Sequence, residues 1–131
     1  MKIYLAGGMR SNWRERMIKE CPNIEFLCPK STFRSQDEWW TYDKVMINTC
    51  DVVLIYIEKG KWAPIGMVIE EGMAYGLGKP VILVNERYCD GIRREGESPE
   101  EQLARYLKCT ESFCDILFTS LDQAIEYLKK W

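Results

Sequence analysis

Two short runs, Asp51-Val-Val-Leu-Ile-Tyr-Ile57 and Pro80-Val-Ile-Leu-Val84, are apolar at consecutive positions rather than at every second one. A strand with one wet face alternates; a strand that is apolar throughout is covered on both sides, as in a parallel sheet wrapped by helices. The rest of the chain supplies those helices. Strand-like segments at 2–6, 24–27, 51–57, 80–84 and 115–118 alternate with helical patterns at about 11–20, 37–48, 64–78, 99–108 and 120–130. Five β-α units in succession imply an α/β, three-layer sandwich with a five-stranded parallel sheet. The commonest doubly wound order at this size is the flavodoxin-like 2-1-3-4-5.

Helix punctuation agrees with this division. Pro64 suits a first helical turn, Gly78 followed by Pro80 stops the same helix, and Thr119-Ser120 offers a cap for the last one. With 131 residues, 47% of them hydrophobic, the chain is expected to form one domain, 1–131, around a single real core. The longest irregular stretch, 85–98, exceeds a usual α/β connection and reads as a lid, a subunit contact or a plain surface loop.

Charge and composition exclude several classes of function. A net charge of −2 with mixed signs argues against a nucleic-acid surface. The nearest thing to a basic cluster is Arg87, Arg93 and Arg94, interleaved with Glu86, Asp90, Glu95 and Glu97, which reads as a solvated loop. No apolar run reaches membrane-spanning length and the first residues do not resemble a leader, so the chain is expected in the cytoplasm without a membrane partner. Six cysteines without C-x-x-C spacing are expected as reduced, partly buried thiols. There is no histidine, which argues against a zinc site and against a Ser-His or Cys-His nucleophile. Carboxylates, tyrosines, lysines and thiols remain.

Among the carboxylates, Glu70 stands out. On a helix over 64–78 its neighbours at helical spacing are Gly66, Met67, Met73, Ala74 and Leu77, so the acid falls in the middle of the apolar stripe. An acid there is paired, neutralised or held for a task. Glu71, turned about 100° around the helix, is expected to be solvated. Asp43 repeats the pattern of Glu70, flanked by Trp39, Trp40, Met46 and Ile47. Asp51, opening a strand, reads as a cap or turn residue.

The strand order places a crevice beyond the carboxyl ends of strands 1 and 3. After strand 1 come Gly7-Gly8-Met9-Arg10-Ser11-Asn12: two glycines that allow close backbone approach, an arginine suited to an anion, and polar residues opening a helix. After strand 3 the segment from Glu58 through Trp62 and Pro64 to Gly66 leads into the helix of Glu70. Tyr4, inside strand 1, reads first as core packing, though its hydroxyl is near enough to the same rim to meet a carboxylate. Trp39 and Trp40 read as core residues or as rings that stack on a planar base.

These residues together resemble a known family. Tyr4-Leu-Ala-Gly-Gly-Met-Arg10, then Asp43 with Cys50-Asp51-Val-Val-Leu, then Gly66-x-x-x-Glu70-x-Gly72-x-Ala74-x-x-x-Gly78-Lys79-Pro80-Val81 are similar to the nucleoside 2-deoxyribosyltransferases, a family that includes the deoxynucleoside 5′-monophosphate N-glycosidases. The resemblance implies a five-stranded parallel α/β sandwich. It implies that Glu70 is the nucleophile that attacks C1′ of the sugar, that Asp43 is the acid that assists departure of the base, and that Tyr4 orients the nucleophile. Gly7, Gly8 and Arg10 would form the substrate loop, with Gly66 and Trp39 also facing the substrate, a small-molecule nucleoside or nucleotide. No metal or organic cofactor is implied, and a homo-oligomer is, with Trp39, Trp40, Trp62 and Trp131 as candidate interface residues. At Pro64 the family usually carries an Asp or Ser that meets the 5′ end of the substrate; proline offers no such group, which leaves the choice between nucleoside and nucleotide open. Two other functions would share the crevice: a non-catalytic nucleotide-binding module, and a glycohydrolase of another ribosyl compound.

Overall fold

The computed structural model describes residues 1–9, 11–29, 35–61 and 65–131. Its strands are β1 (Lys2–Gly7), β2 (Glu25–Leu27), β3 (Val52–Ile57), β4 (Val81–Asn85) and β5 (Ile116–Phe118), and they lie side by side in the order β2-β1-β3-β4-β5 with every pairing parallel. Helices α1 (Trp13–Glu20), α2 (Gln36–Thr49), α3 (Ile65–Gly76), α4 (Pro99–Leu107) and α5 (Leu121–Leu128) make the crossovers and the last outer element. The expected α/β three-layer sandwich is the fold of this chain.

Strand alternation divides the interior into two cores. Ile3 and Leu5 of β1, with Val52, Leu54 and Tyr56 of β3, pack against Trp13 and Met17 of α1 and the stripe Leu121, Ala124, Ile125 and Leu128 of α5. Tyr4 and Ala6, with Val53, Ile55 and Ile57, face the other way onto Ile47 of α2, Met67 and Ala74 of α3 and Leu107 of α4. All six residues of β3 are therefore buried, which is why the sequence shows them as an unbroken apolar run. The same two-residue period sends the Tyr4 side chain into the layer that carries Asp43 and Glu70.

Local chemistry sets the ends of the elements. Ser35 caps α2 by accepting the Glu38 amide, and Ser98 and Glu101 form a reciprocal capping box at the start of α4. Ser120 caps α5, as its position suggested. Lys79 reaches back from the end of α3 and donates to the carbonyls of Asn48 and Cys50 at 2.9 and 2.6 Å, satisfying the end of α2. Asp51 accepts the Lys2 amide at 2.7 Å and so ties the start of β3 to β1. Helix α3 ends at Gly76, short of the expected 78, and Leu77 beyond it is exposed. A 3-10 helix at Lys108–Phe113, which the apolar pattern did not indicate, packs against α3. Pro64 and Trp62 lie outside the described residues. All six cysteines are free, and no helix among the described residues is long and apolar enough to cross a membrane.

Two side chains expected in solvent are buried. Glu71 is 1% exposed, because the 3-10 helix and the Cys114 region close over the flank of α3 on which it lies. Among the described residues its Oε1 has no hydrogen-bond partner, and burial pushes its carboxyl up to about 8. Arg87 is 5% exposed rather than part of a solvated basic loop. Its guanidinium folds under the segment after β3, donating to the carbonyls of Glu58 (3.1 Å) and Lys61, and pairs with Glu100 at 3.4 Å. This arginine pins the start of the 85–98 loop to the body of the domain.

Glu71 gives a stability prediction with a definite sign. Its folded value lies above the ordinary 4.5, so as pH rises the unfolded chain releases a proton that the folded chain retains, and stability falls between about pH 4.5 and 8. Glu71→Gln removes that loss. The variant is expected to gain on the order of 4 kcal/mol at pH 8 and almost nothing at pH 4.5, read as the difference between urea unfolding curves at the two pH values. Equal effects at both would mean that Glu71 is ionised in the folded chain.

Candidate active site

Three residues meet at one point of the α2–α3 layer. Tyr4 has no solvent exposure, and its hydroxyl donates to Glu70 Oε1 at 3.3 Å. Asp43, on the inward face of α2, lies within hydrogen-bonding reach of both Tyr4 and Glu70. Asp43 and Glu70 are 4% and 6% exposed, and among the described residues Asp43 Oδ1 has no hydrogen-bond partner. A central strand and two separate helices thus bring together a phenol and two carboxyl groups.

The electrostatics follow from this crowding. Burial, then the neighbouring Asp43 charge, raise Glu70 to about 8, opposed by the Tyr4 hydrogen bond and by Arg14. Burial also raises Asp43, against hydrogen bonds from Tyr4 and Glu70 and the Arg14 charge. Two carboxyl groups this close do not both ionise readily, so the pair holds one proton through neutral pH and titrates as a unit. Burial, followed by the two acids, drives the Tyr4 hydroxyl well above its ordinary range. It stays protonated, and so a donor, through and beyond the range in which an ordinary phenol ionises.

Above the pair opens a cleft of about 240 Å³. Asp43 and Glu70 are at its floor, Trp39 and Trp40 with Gly66 and Met67 form one side, and Gly7, Met9, Pro29 and Gln36 complete it. Gly66 lies beside the Trp40 ring, where an added Cβ would make an ordinary van der Waals contact at 3.6 Å. On the β1 side Gly7 has φ +152°, and a Cβ would come within 2.8 Å of the Tyr56 carbonyl oxygen, so this turn admits only glycine without rearrangement. Gly8 does not line the cleft; its carbonyl accepts from the Trp13 indole at 3.0 Å and from Arg14 at 2.7 Å. Ser11 donates to Glu58 Oε2 at 2.9 Å, joining the segment after β1 to the segment after β3.

The structure therefore brings together Tyr4, Asp43, Glu70, Gly7, Gly66 and Trp39 from the sequence-derived set, with Gly8 directly behind them. Arg10 lies outside the described residues. Met9, Pro29, Gln36 and Met67 were not singled out from the sequence, and only Gln36 carried a signal, as a polar residue one turn before Trp39 and Trp40. Arg14, buried under the glycine turn, was missed altogether. Among the described residues no group of three or more Cys, Asp or Glu could hold a metal ion.

A family model described as nucleoside 2-deoxyribosyltransferase like matches residues 1–88. No curated protein matches significantly. Among solved structures, a protein of Enterococcus faecalis V583 described only as conserved superposes with a TM-score of 0.66 at 19% identity, over 99% of this chain and 98% of that one. The CMP N-glycosidase BcmB of Clostridium botulinum gives 0.66 at 17% over 100% of both chains. The 2-deoxyribosyltransferase of Bacillus psychrosaccharolyticus gives 0.64 at 21% over 97% of this chain and 92% of that one. At these identities the likeness to solved structures establishes the fold.

Proposed function

Since the chain belongs to the nucleoside 2-deoxyribosyltransferase-like family, whose model spans its first 88 residues, we propose that it breaks the N-glycosidic bond of a 2′-deoxynucleoside or of its 5′-monophosphate, with Glu70 as nucleophile. The observation that carries this reading is the convergence of two buried acids from different helices on the Tyr4 hydroxyl, at the floor of a cleft walled by two tryptophans. Loss of the base leaves oxocarbenium character at C1′, which a carboxylate stabilises or captures.

In the first step a Glu70 oxygen bonds to C1′ as the C1′–N bond breaks; its electron pair leaves with the base, and Asp43 gives the base nitrogen a proton. In the second step an acceptor attacks C1′, Asp43 takes back a proton from that acceptor, and Glu70 departs as carboxylate. Water as acceptor makes the enzyme a hydrolase, and a second base makes it a transferase; the two named structural neighbours, an N-glycosidase and a deoxyribosyltransferase, stand for these two outcomes. Trp39 and Trp40 supply planar faces for the base.

The proton count supports the same cycle. Reaction needs Glu70 charged and Asp43 protonated, a pair with one proton in all. Burial favours the protonated form of both acids, so in the free site the two share that proton. A base nitrogen that accepts a hydrogen bond from Asp43 draws the proton across and leaves Glu70 ionised against Tyr4. Activity is then bell-shaped in pH: it falls in acid, where both carboxyls are protonated, and again above about pH 8, where the pair loses its proton. A kcat/KM profile from pH 4 to 10 measures both limbs, and a rate still rising at pH 10 would contradict the shared proton.

The identifying experiment is a chromatographic screen of deoxynucleosides and their 5′-monophosphates beside the ribo-compounds, with and without an added acceptor base. Base release from a deoxy substrate alone supports the proposal, and new nucleoside on adding acceptor assigns transfer. Thermal stabilisation by deoxynucleotides with no base release across the pH range would instead make the chain a binding module.

A further inference from the structure

Arg14 is 8% exposed on the first turn of α1, and among the described residues its hydrogen bonds all go to backbone carbonyls. Nε and Nη2 both donate to the Leu5 carbonyl at 3.2 Å, Nη2 also donates to Gly7 at 2.9 Å, and Nη1 donates to Gly8 at 2.7 Å. Three carbonyls at the end of β1 are thus held by one planar fork, and the guanidinium carbon lies 4.4 Å from the centre of the Trp13 ring. Lysine can reproduce the charge but not this fork.

A buried cation whose hydrogen bonds go only to neutral carbonyls keeps its charge uncompensated at contact distance, so its field reaches further into the low-dielectric interior. That field falls on the acid pair: Arg14 acts on both Asp43 and Glu70. The groups that face Arg14 in return are Tyr4 on β1, Glu70 on α3, Cys28 beyond β2 and Glu15 on its own helix. Two independent functions thus meet in one side chain, shaping the turn and charging the site.

We propose that Arg14 is a positioning residue of the reaction: its guanidinium fixes the Gly7–Gly8 turn as the wall of the cleft and supplies the fixed positive charge against which the acid pair ionises. This rests on the catalytic reading of that pair. Without the cation the buried site would hold its protons to higher pH, and Glu70 would enter the nucleophilic state less readily. Without the fork, the Gly7 and Gly8 carbonyls would lose the donors that fix the turn beyond β1, and the cleft would lose a defined edge.

The test compares Arg14→Met and Arg14→Lys with wild type by two readouts. The first is carboxyl titration by ¹³C NMR without substrate, assigned with Glu70→Gln and Asp43→Asn; the second is the pH dependence of kcat/KM and of KM. Arg14→Met is expected to move both titrations of the pair about one pH unit upward, to move the rate profile by the same amount, and to raise KM about tenfold. Arg14→Lys is expected to leave the titrations within about half a unit yet still raise KM, because one ammonium cannot hold three carbonyls. Unmoved titrations in folded Arg14→Met overturn the proposal, as does an unchanged KM in Arg14→Lys. Should Arg14→Met fail to fold, the Arg14→Lys result decides. If wild type releases no base from any substrate, the catalytic reading fails; the NMR titration, with deoxynucleotide Kd in place of KM, then separately decides what Arg14 does to the pair and the turn.

Discussion

Glu70→Gln is expected to slow base release by about 10⁴-fold or more and, at the same time, to make the protein harder to unfold at neutral and alkaline pH. The loss of rate follows from removing the oxygen that bonds to C1′; an amide neither captures nor screens an oxocarbenium centre. The gain in stability follows from linkage. With a folded value near 8 against an ordinary 4.5, Glu70 keeps its proton where the unfolded chain gives it up, so its presence disfavours the folded state increasingly from pH 4.5 to 8. Glutamine abolishes that difference, worth about 2–4 kcal/mol at pH 8 and near zero at pH 4.5. Chromatographic turnover and thermal melts at two pH values measure both halves. A variant with wild-type turnover removes Glu70 from the chemistry, whatever its melting temperature.

Asp43→Asn is expected to lower kcat by about 10²–10³-fold, the usual scale for a lost general acid, with a loss that depends on the leaving base. Asparagine can accept or donate a hydrogen bond but cannot release a proton. A base that departs readily as an anion therefore suffers less than one that must be protonated first. Substrates paired by leaving-group basicity make this visible: a flat dependence in wild type and a steep one in the variant. The alkaline limb of the pH profile should also disappear, since its origin is the single proton of the pair. An equal loss for every leaving base would restrict Asp43 to binding.

The fold was legible in the sequence because its strongest signal is the one least affected by tertiary detail. β3 is buried on both faces, so its six residues are uniformly apolar, and each helix presents a stripe at its own period. Asp43 and Glu70 were legible for a related reason: a polar group in the middle of an apolar stripe contradicts its surroundings, and the contradiction marks it. Tyr4 read first as core packing, and only the family resemblance tied its hydroxyl to the glutamate. Glu71 and Arg87 were misread because a helical wheel or a charge pattern registers only its own element. The 3-10 helix that covers Glu71 and the loop that Arg87 holds are contributed by other parts of the chain. Arg14 was invisible on similar grounds. Among Glu15, Arg16, Lys19 and Glu20 on a short helix it looks like one more solvated charge, and only the curl of the glycine turn over it makes it internal.

Tyr4 belongs to the most enclosed part of the sheet, whereas its two acidic companions ride on helices that merely rest against it. The reacting groups therefore share a fixed reference but not a common carrier. Warming that lets α2 and α3 slip by a fraction of an ångström would disturb the relation between the acids long before any strand separates. Cross-linking those two helices is therefore expected to hold the acids in register to a higher temperature.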